Sequence, residues 1–124
     1  MEGYKTKEYG QPVKRYVQTM ELKDSPELIK RYCEAHDKEH AWKEILDGIR
    51  DVGILEMEIY LLGSRLVMIV DAPVDFRWSE AMKRLATLPR QAEWEALVSK
   101  FQGCRPDARS DEKWQPMERI FRLD

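Results

Sequence analysis

Ile54-Leu55-Glu56-Met57-Glu58-Ile59-Tyr60-Leu61-Leu62-Gly63-Ser64-Arg65-Leu66-Val67-Met68-Ile69-Val70-Asp71 is the stretch on which the fold turns. Successive side chains of a strand point to opposite faces. Leu55, Met57, Ile59 and Leu61 therefore share one face, and Glu56, Glu58 and Tyr60 the other. Gly63-Ser64 is a tight turn into a second, β-branched run, so residues 54–71 read as a β-hairpin that Pro73 ends. Toward the N-terminus, Lys14 to Leu22 alternates with β-branched and aromatic content and reads as a strand. Ser25-Pro26-Glu27-Leu28 then supplies an N-cap, a first-turn proline and a first-turn acid, the signature of a helix start. Leu28, Tyr32, Ala35 and His36 fall on one face of that helix, and the helical pattern resumes after an irregularity through Trp42 to Ile49. Toward the C-terminus, Phe76, Ala81, Met82 and Leu85 carry one helical segment, and after Pro89 the residues Ala92, Trp94, Leu97, Val98 and Phe101 carry another. A polar loop over 103–113 leads to Met117-Glu118-Arg119-Ile120-Phe121-Arg122-Leu123, which reads as a closing strand.

The order is β-α-β-β-α-β, an α+β, ferredoxin-like arrangement with an antiparallel sheet and helices on one face. Residues 1–12 read as a flexible N-terminal arm and residues 13–124 as a single domain. The strand 66–70 is apolar on both faces. Burying its outer face calls for sheet-to-sheet packing, a homodimer of the dimeric α/β barrel type.

Composition narrows the function classes. A chain of 124 residues with 43% hydrophobic and 35% charged residues describes a globular protein with one modest core. Its net charge of −2 argues against nucleic acid as the main partner, because phosphate binding needs a basic surplus. No run approaches the roughly 18–20 apolar residues that span a bilayer, and the first residues lack the apolar segment of a secretory signal. Cys33 and Cys104 make neither a disulfide framework nor a zinc site, so a reducing cytoplasm is the expected location.

His36 is the sharpest candidate for chemistry, since imidazole exchanges protons near neutrality; the plainer alternative is a histidine with one structural hydrogen bond. His36 and His40 also form a His-x3-His pair that could hold a metal from one helix face, but no further ligands flank them and no metal is expected. Trp42, Trp78, Trp94 and Trp114 are a high load for this length. Sugar rings present apolar C–H faces that pack on aromatic rings, so a tryptophan-walled polar pocket suits a carbohydrate, with core packing as the alternative. No Gly-rich phosphate loop, Ser-His-Asp spacing or CxxC motif is present.

The motifs in register resemble the L-rhamnose mutarotase family, dimeric enzymes that interconvert the α and β anomers of 6-deoxy sugars. The resemblance runs from about Arg15 to Leu123. It is carried by Ser25 to His36 with its Tyr-x3-His, by Trp42-Lys43-Glu44-Ile45, by Gly53 to Tyr60 and Leu66-Val67-Met68, by Gln91-Ala92-Glu93-Trp94-Glu95, and by Met117 to Leu123. Lys43 replaces the proline of the family's Trp-Pro-Glu. The resemblance implies that His36 is the family's proton-donor histidine and Tyr32 its sugar-contacting helix tyrosine. The family's tryptophan pair survives only as Trp94, because Glu95 follows, and its sugar-binding strand tyrosine falls on Met57. Trp42 joins Trp94 and Met57 as pocket walls. These departures bear on which sugar is used, L-rhamnose or L-fucose; the hairpin wording is nearer the L-fucose branch. Two extra residues between His36 and Trp42 leave His40 as a rival acid/base group.

The expected reaction passes through the open-chain aldehyde, the ring oxygen gaining a proton while the anomeric hydroxyl loses one. It needs no cofactor, and its substrate is a monosaccharide. The uncatalysed exchange already runs on the order of minutes, so a sparse site suffices. Two other readings stand beside it: a monooxygenase or haem-degrading enzyme of the same shape, and a non-catalytic sugar-binding or interaction module in which His36 is structural.

Overall fold

The computed structural model describes residues 1–103 and 113–124. The hairpin forms where the alternation requires it: strands Glu56–Leu62 and Arg65–Pro73 pair antiparallel, with Leu62 opposite Arg65. Gly63 takes φ +60° while Ser64 does not enter the positive-φ region, which is the requirement of a two-residue II′ turn whose twist matches the flanking strands. Numbered in chain order, the elements are β1 (Val13–Glu21), α1 (Pro26–Ala35), α2 (Lys43–Asp51), β2 (Glu56–Leu62), β3 (Arg65–Pro73), α3 (Trp78–Leu85), α4 (Gln91–Ser99) and β4 (Gln115–Pro116).

These strands form one antiparallel sheet in the order β2-β3-β1-β4, the strand order of the ferredoxin-like arrangement. β1 pairs β3 along its whole length, from Val13 opposite Pro73 to Glu21 opposite Arg65. The shared register puts Met20, Leu66, Met68, Val70 and Ala72 on one face, where they meet Tyr32, Leu85, Val98 and Phe101 from the helices in a single core. Leu66 and Val70 are fully enclosed, and burying such side chains contributes on the order of 1.5–3 kcal/mol each. The other face carries Val17, Val67 and Ile69, half-buried, among the charged pairs Arg15–Asp71 and Arg65–Glu21. Among the described residues no helix is long and apolar enough to cross a membrane.

α1 starts as its sequence demands: the Ser25 side chain accepts from the Leu28 N–H at 3.4 Å, with Pro26 in the first turn. It ends at Ala35, earlier than a continuous helix would, and a turn separates it from α2. His40 therefore lies beyond the helix, and the His-x3-His pair does not share one helix face. The closing strand also differs from expectation. Gln115 and Pro116 pair Thr19 and Gln18, Met117 N–H donates to Val17 O at 2.8 Å, and the Met117–Leu123 segment then leaves the sheet. Ile120, Phe121 and Leu123 are largely exposed. Alternation marks a strand only where a surface takes up one face, and nothing among the described residues covers these side chains. Residues 104–112 of the expected polar loop, Cys104 among them, lie outside the described residues.

Residues 1–12 form no helix or strand. They touch the hairpin at three places: Lys7 Nζ donates to Leu55 O at 2.7 Å, Tyr9 Oη donates to Asp71 Oδ2 at 2.6 Å, and Tyr4 meets Tyr60 edge-on at 5.6 Å.

Candidate functional site

On its helix-covered side the sheet does not close fully against the helices. A cavity of about 380 Å³ remains between β2 and β3 on one wall and the four helices on the other, a size typical of small-molecule sites. Its wall includes Tyr32, His36, Trp42, Met57 and Trp94, so the five side chains expected at the site converge on one space.

His36 reaches the cavity because α1 ends there. The last carbonyls of a helix have no partner within it. The His36 backbone N–H bonds Cys33 O at 3.1 Å, and the Tyr32 carbonyl oxygen is taken instead by the His36 ring, Nδ1 lying 2.7 Å away. The ring also lies against Tyr32 at 4.3 Å and edge-on to Trp94 at 5.1 Å. A carbonyl can only accept, so the neutral ring carries its proton on Nδ1 and leaves Nε2 as the basic nitrogen. Burial among these rings pulls the His36 imidazole below its ordinary 6.5, and the bond to the Tyr32 carbonyl opposes this. Burial likewise pushes the Tyr32 phenol well above its ordinary 10, against the lowering effect of a side-chain hydrogen bond shared with Gln102.

The aromatic wall is held from outside the cavity. Trp42 and Trp94 meet edge-on at 5.4 Å, and the Arg90 guanidinium lies 3.9 Å over the Trp42 ring. Arg90 occupies the left-handed region at φ +64° as the N-cap of α4 and pairs with Glu44 and Glu93. Trp114 also lines the cavity, whereas Trp78 packs on Tyr16 and Phe76 in the core.

His40 lies elsewhere in character. It is exposed, outside the cavity wall, and its Nδ1 is 2.7 Å from Asp37 Oδ1. That carboxylate raises the His40 imidazole. Among the described residues no three His, Cys, Asp or Glu side chains are grouped to hold a metal.

The expected site lacked a polar group that the structure adds. Gln91, Trp94, Glu95 and Val98 line the cavity along one stripe of α4. Glu95 Oε2 lies 2.7 Å from Lys113 Nζ, and its Oε1 accepts from Gln91 Nε2 at 3.0 Å. The spacing 91-94-95-98 could have shown which α4 residues share a face. No sequence signal ties Lys113 to Glu95 across 18 positions. The assembled wall suits a small ligand with apolar faces, hydroxyl groups and a proton to exchange.

Comparison with known proteins points the same way. The family model described as L-rhamnose mutarotase matches residues 15–123. An L-fucose mutarotase of Xanthomonas campestris is 34% identical over 111 residues, covering 90% of this chain and 89% of its own length. The UPF0734 protein of Dictyostelium discoideum is 34% identical over 115 residues, covering 90% of each. The crystal structure of an L-rhamnose mutarotase from Formosa agariphila superposes with a TM-score of 0.66 over 90% of this chain and 99% of its own, at 20% identity. That last match speaks for the fold.

Proposed function

The chain belongs to the L-rhamnose mutarotase family, and from that premise we propose that its aromatic cavity binds a 6-deoxy-L-hexose with His36 handling the proton at the anomeric hydroxyl. The protein is a mutarotase of the rhamnose and fucose type, an isomerase acting on carbohydrates. The monooxygenase and binding-module readings share only a fold, and fold does not choose among functions; the family match does.

One observation carries the assignment of the site: a half-buried imidazole with Nδ1 tied to a carbonyl stands in the wall of a cavity lined by tryptophans. In ring opening, His36 Nε2 takes the proton of the anomeric hydroxyl. The C1–O5 bond breaks, the C1–O1 bond becomes the aldehyde carbonyl, and O5 takes a proton from an acid. Closure on the other face reverses the transfers: O5 attacks C1 and loses its proton, and the imidazolium returns one to O1. The protons are all returned, and in net terms only the configuration at C1 changes. A water, or the Tyr32 phenol, which burial makes the weaker acid, serves O5. Tyr32, Met57, Trp42 and Trp94 shape the pocket around the ring, the tryptophans offering faces to its C–H groups.

Residues 13–124 act as one domain, working in the cytoplasm as a homodimer. Half-buried Val17, Val67 and Ile69 on the outer sheet face support sheet-to-sheet pairing, as do exposed Ile120, Phe121 and Leu123. Light scattering of the purified protein distinguishes dimer from monomer.

Saturation-transfer NMR on L-rhamnose and L-fucose tests the reaction. Exchange between anomers faster than in buffer, with at least one sugar, is the expected result. Exchange no faster than in buffer with both would overturn the reading.

A further inference from the structure

The cavity wall contains a charged group that proton transfer at C1 does not use. Lys113 is buried to 1% side-chain exposure, whereas its partner Glu95 keeps 22% and lines the cavity. The lysine is fixed behind the wall. Its Nζ donates to Glu95 Oε2 at 2.7 Å and to Ser99 Oγ at 2.9 Å, while Ser99 Oγ donates to the Glu95 carbonyl at 2.6 Å. Gln91, itself buried, donates to the other carboxylate oxygen. A carboxylate offers about four acceptor positions. Each Glu95 oxygen therefore retains acceptor capacity beyond the contact to Lys113 or Gln91.

Beside an ammonium, a carboxylate accepts hydrogen bonds and has no proton to give. That suits a sugar hydroxyl and does not suit protonation of O5. A buried ion pair is also poor at adding stability compared with apolar packing, so its presence in a cavity wall calls for a recognition role.

We propose that Glu95 is the specificity-determining residue of this cavity, its carboxylate, pinned by Lys113 and Gln91, accepting a hydrogen bond from a ring hydroxyl of the 6-deoxy-L-hexose at C2 or C4. The proposal rests on the mutarotase reading of the same cavity. L-Rhamnose and L-fucose differ in configuration at those two carbons, so a fixed acceptor meets the hydroxyl of one and misses that of the other. A site built to pair a hydroxyl discriminates far more sharply than an apolar pocket does.

The test is anomer exchange of both sugars by wild type, E95Q and the double variant E95Q/K113M. The double variant leaves no buried ammonium facing a neutral amide, and near-ultraviolet circular dichroism checks that each variant is folded. The expected result is a wild type that prefers one sugar. In both variants that preference falls about tenfold, through a higher KM for the preferred sugar and with kcat little changed. A wild type without preference, a preference unaltered in the folded variants, or equal losses for the two sugars would each overturn it. So would variants that fail to fold, since the pair would then be a structural requirement. A wild type that accelerates neither sugar would instead sink the mutarotase reading on which this one rests.

Discussion

The imidazole of His36 and the backbone carbonyl of Tyr32, four residues earlier, are joined by a 2.7 Å contact at the ring Nδ1. A helix end thereby fixes the tautomer of the one histidine in the cavity wall. Positioned acid/base groups contribute about 10²–10⁴-fold to rate. Replacing His36 by Ala is expected to remove most of the acceleration of anomer exchange, by about 10²-fold or more over the buffer rate. His40→Ala is expected to leave it intact, since His40 is exposed and paired with Asp37. NMR line exchange on the two variants decides. Loss in His40→Ala with survival in His36→Ala would move the site.

The direction of the His36 shift sets the acid limb of the pH profile. Burial lowers its pKa from 6.5, so Nε2 stays unprotonated and basic below that pH. The acid limb of kcat/KM is expected to fall below 6.5, with full activity at neutrality. For stability, the unfolded chain protonates this histidine near 6.5 before the folded chain does. His36 therefore disfavours the fold as the pH drops through that window, and the effect levels off below the folded pKa. An acid limb above 6.5 would contradict the burial argument.

Much of this arrangement is legible in the sequence, where local rules and tertiary demand agree. The 55-57-59-61 alternation and Gly63-Ser64 place the hairpin because Met57 and Ile59 are taken up by the cavity wall and the turn needs a positive φ. Ser25-Pro26 places α1 because capping is settled within a few residues. The closing segment is misread because Phe121 and Leu123 alternate without a surface to cover them. The break after α1 is legible only as an irregularity before Trp42, because the ring–carbonyl bond at its end is something periodicity does not encode. Tyr32, His36 and Trp94 were findable from spacing and resemblance. Glu95 appears in sequence only as a departure from a tryptophan pair, and its role depends on Lys113 arriving from a distant segment.

Arg90 offers a test of how the aromatic wall is held. Its φ of +64° is a conformation L side chains rarely adopt, yet its guanidinium stacks 3.9 Å over Trp42. The left-handed backbone costs about 1–2 kcal/mol in a non-glycine residue, and an exposed cation–π contact returns about 0.5–1 kcal/mol. Arg90→Gly removes both the strain and the stacking, whereas Arg90→Ala removes only the stacking. Urea denaturation is expected to place the Gly variant about 1 kcal/mol above the Ala variant. Both should show a raised KM for the sugar as Trp42 loses its support. Equal stability of the two would mean the left-handed residue carries no strain.

On the opposite side of the sheet, Asp71 makes the stability of the protein depend on pH. The Arg15 guanidinium meets it through two bonds, 2.7 and 2.9 Å, across directly paired positions of β1 and β3, and Tyr9 Oη donates at 2.6 Å. The Arg15 bond chiefly, helped by Tyr9, holds the Asp71 carboxyl below the usual carboxylate range. A depressed carboxylate contributes its full stability above the unfolded value near 3.9 and loses it as the pH falls through the folded pKa. Tyr9 behaves oppositely. Burial and the Asp71 contact push its phenol up to about 12, so its contribution is complete below about 10 and disappears as the pH rises through that value. Thermal denaturation of wild type should show a plateau bounded by both limbs. Asp71→Asn should lower the plateau by about 1–3 kcal/mol and flatten the acid limb, the half-exposed Arg15 keeping the loss toward the lower end. Tyr9→Phe should flatten the alkaline limb and, since Arg15 is the larger cause of the Asp71 depression, weaken the acid limb only in part. A Tyr9→Phe profile identical to wild type would show that the N-terminal residues do not hold to the sheet through Asp71.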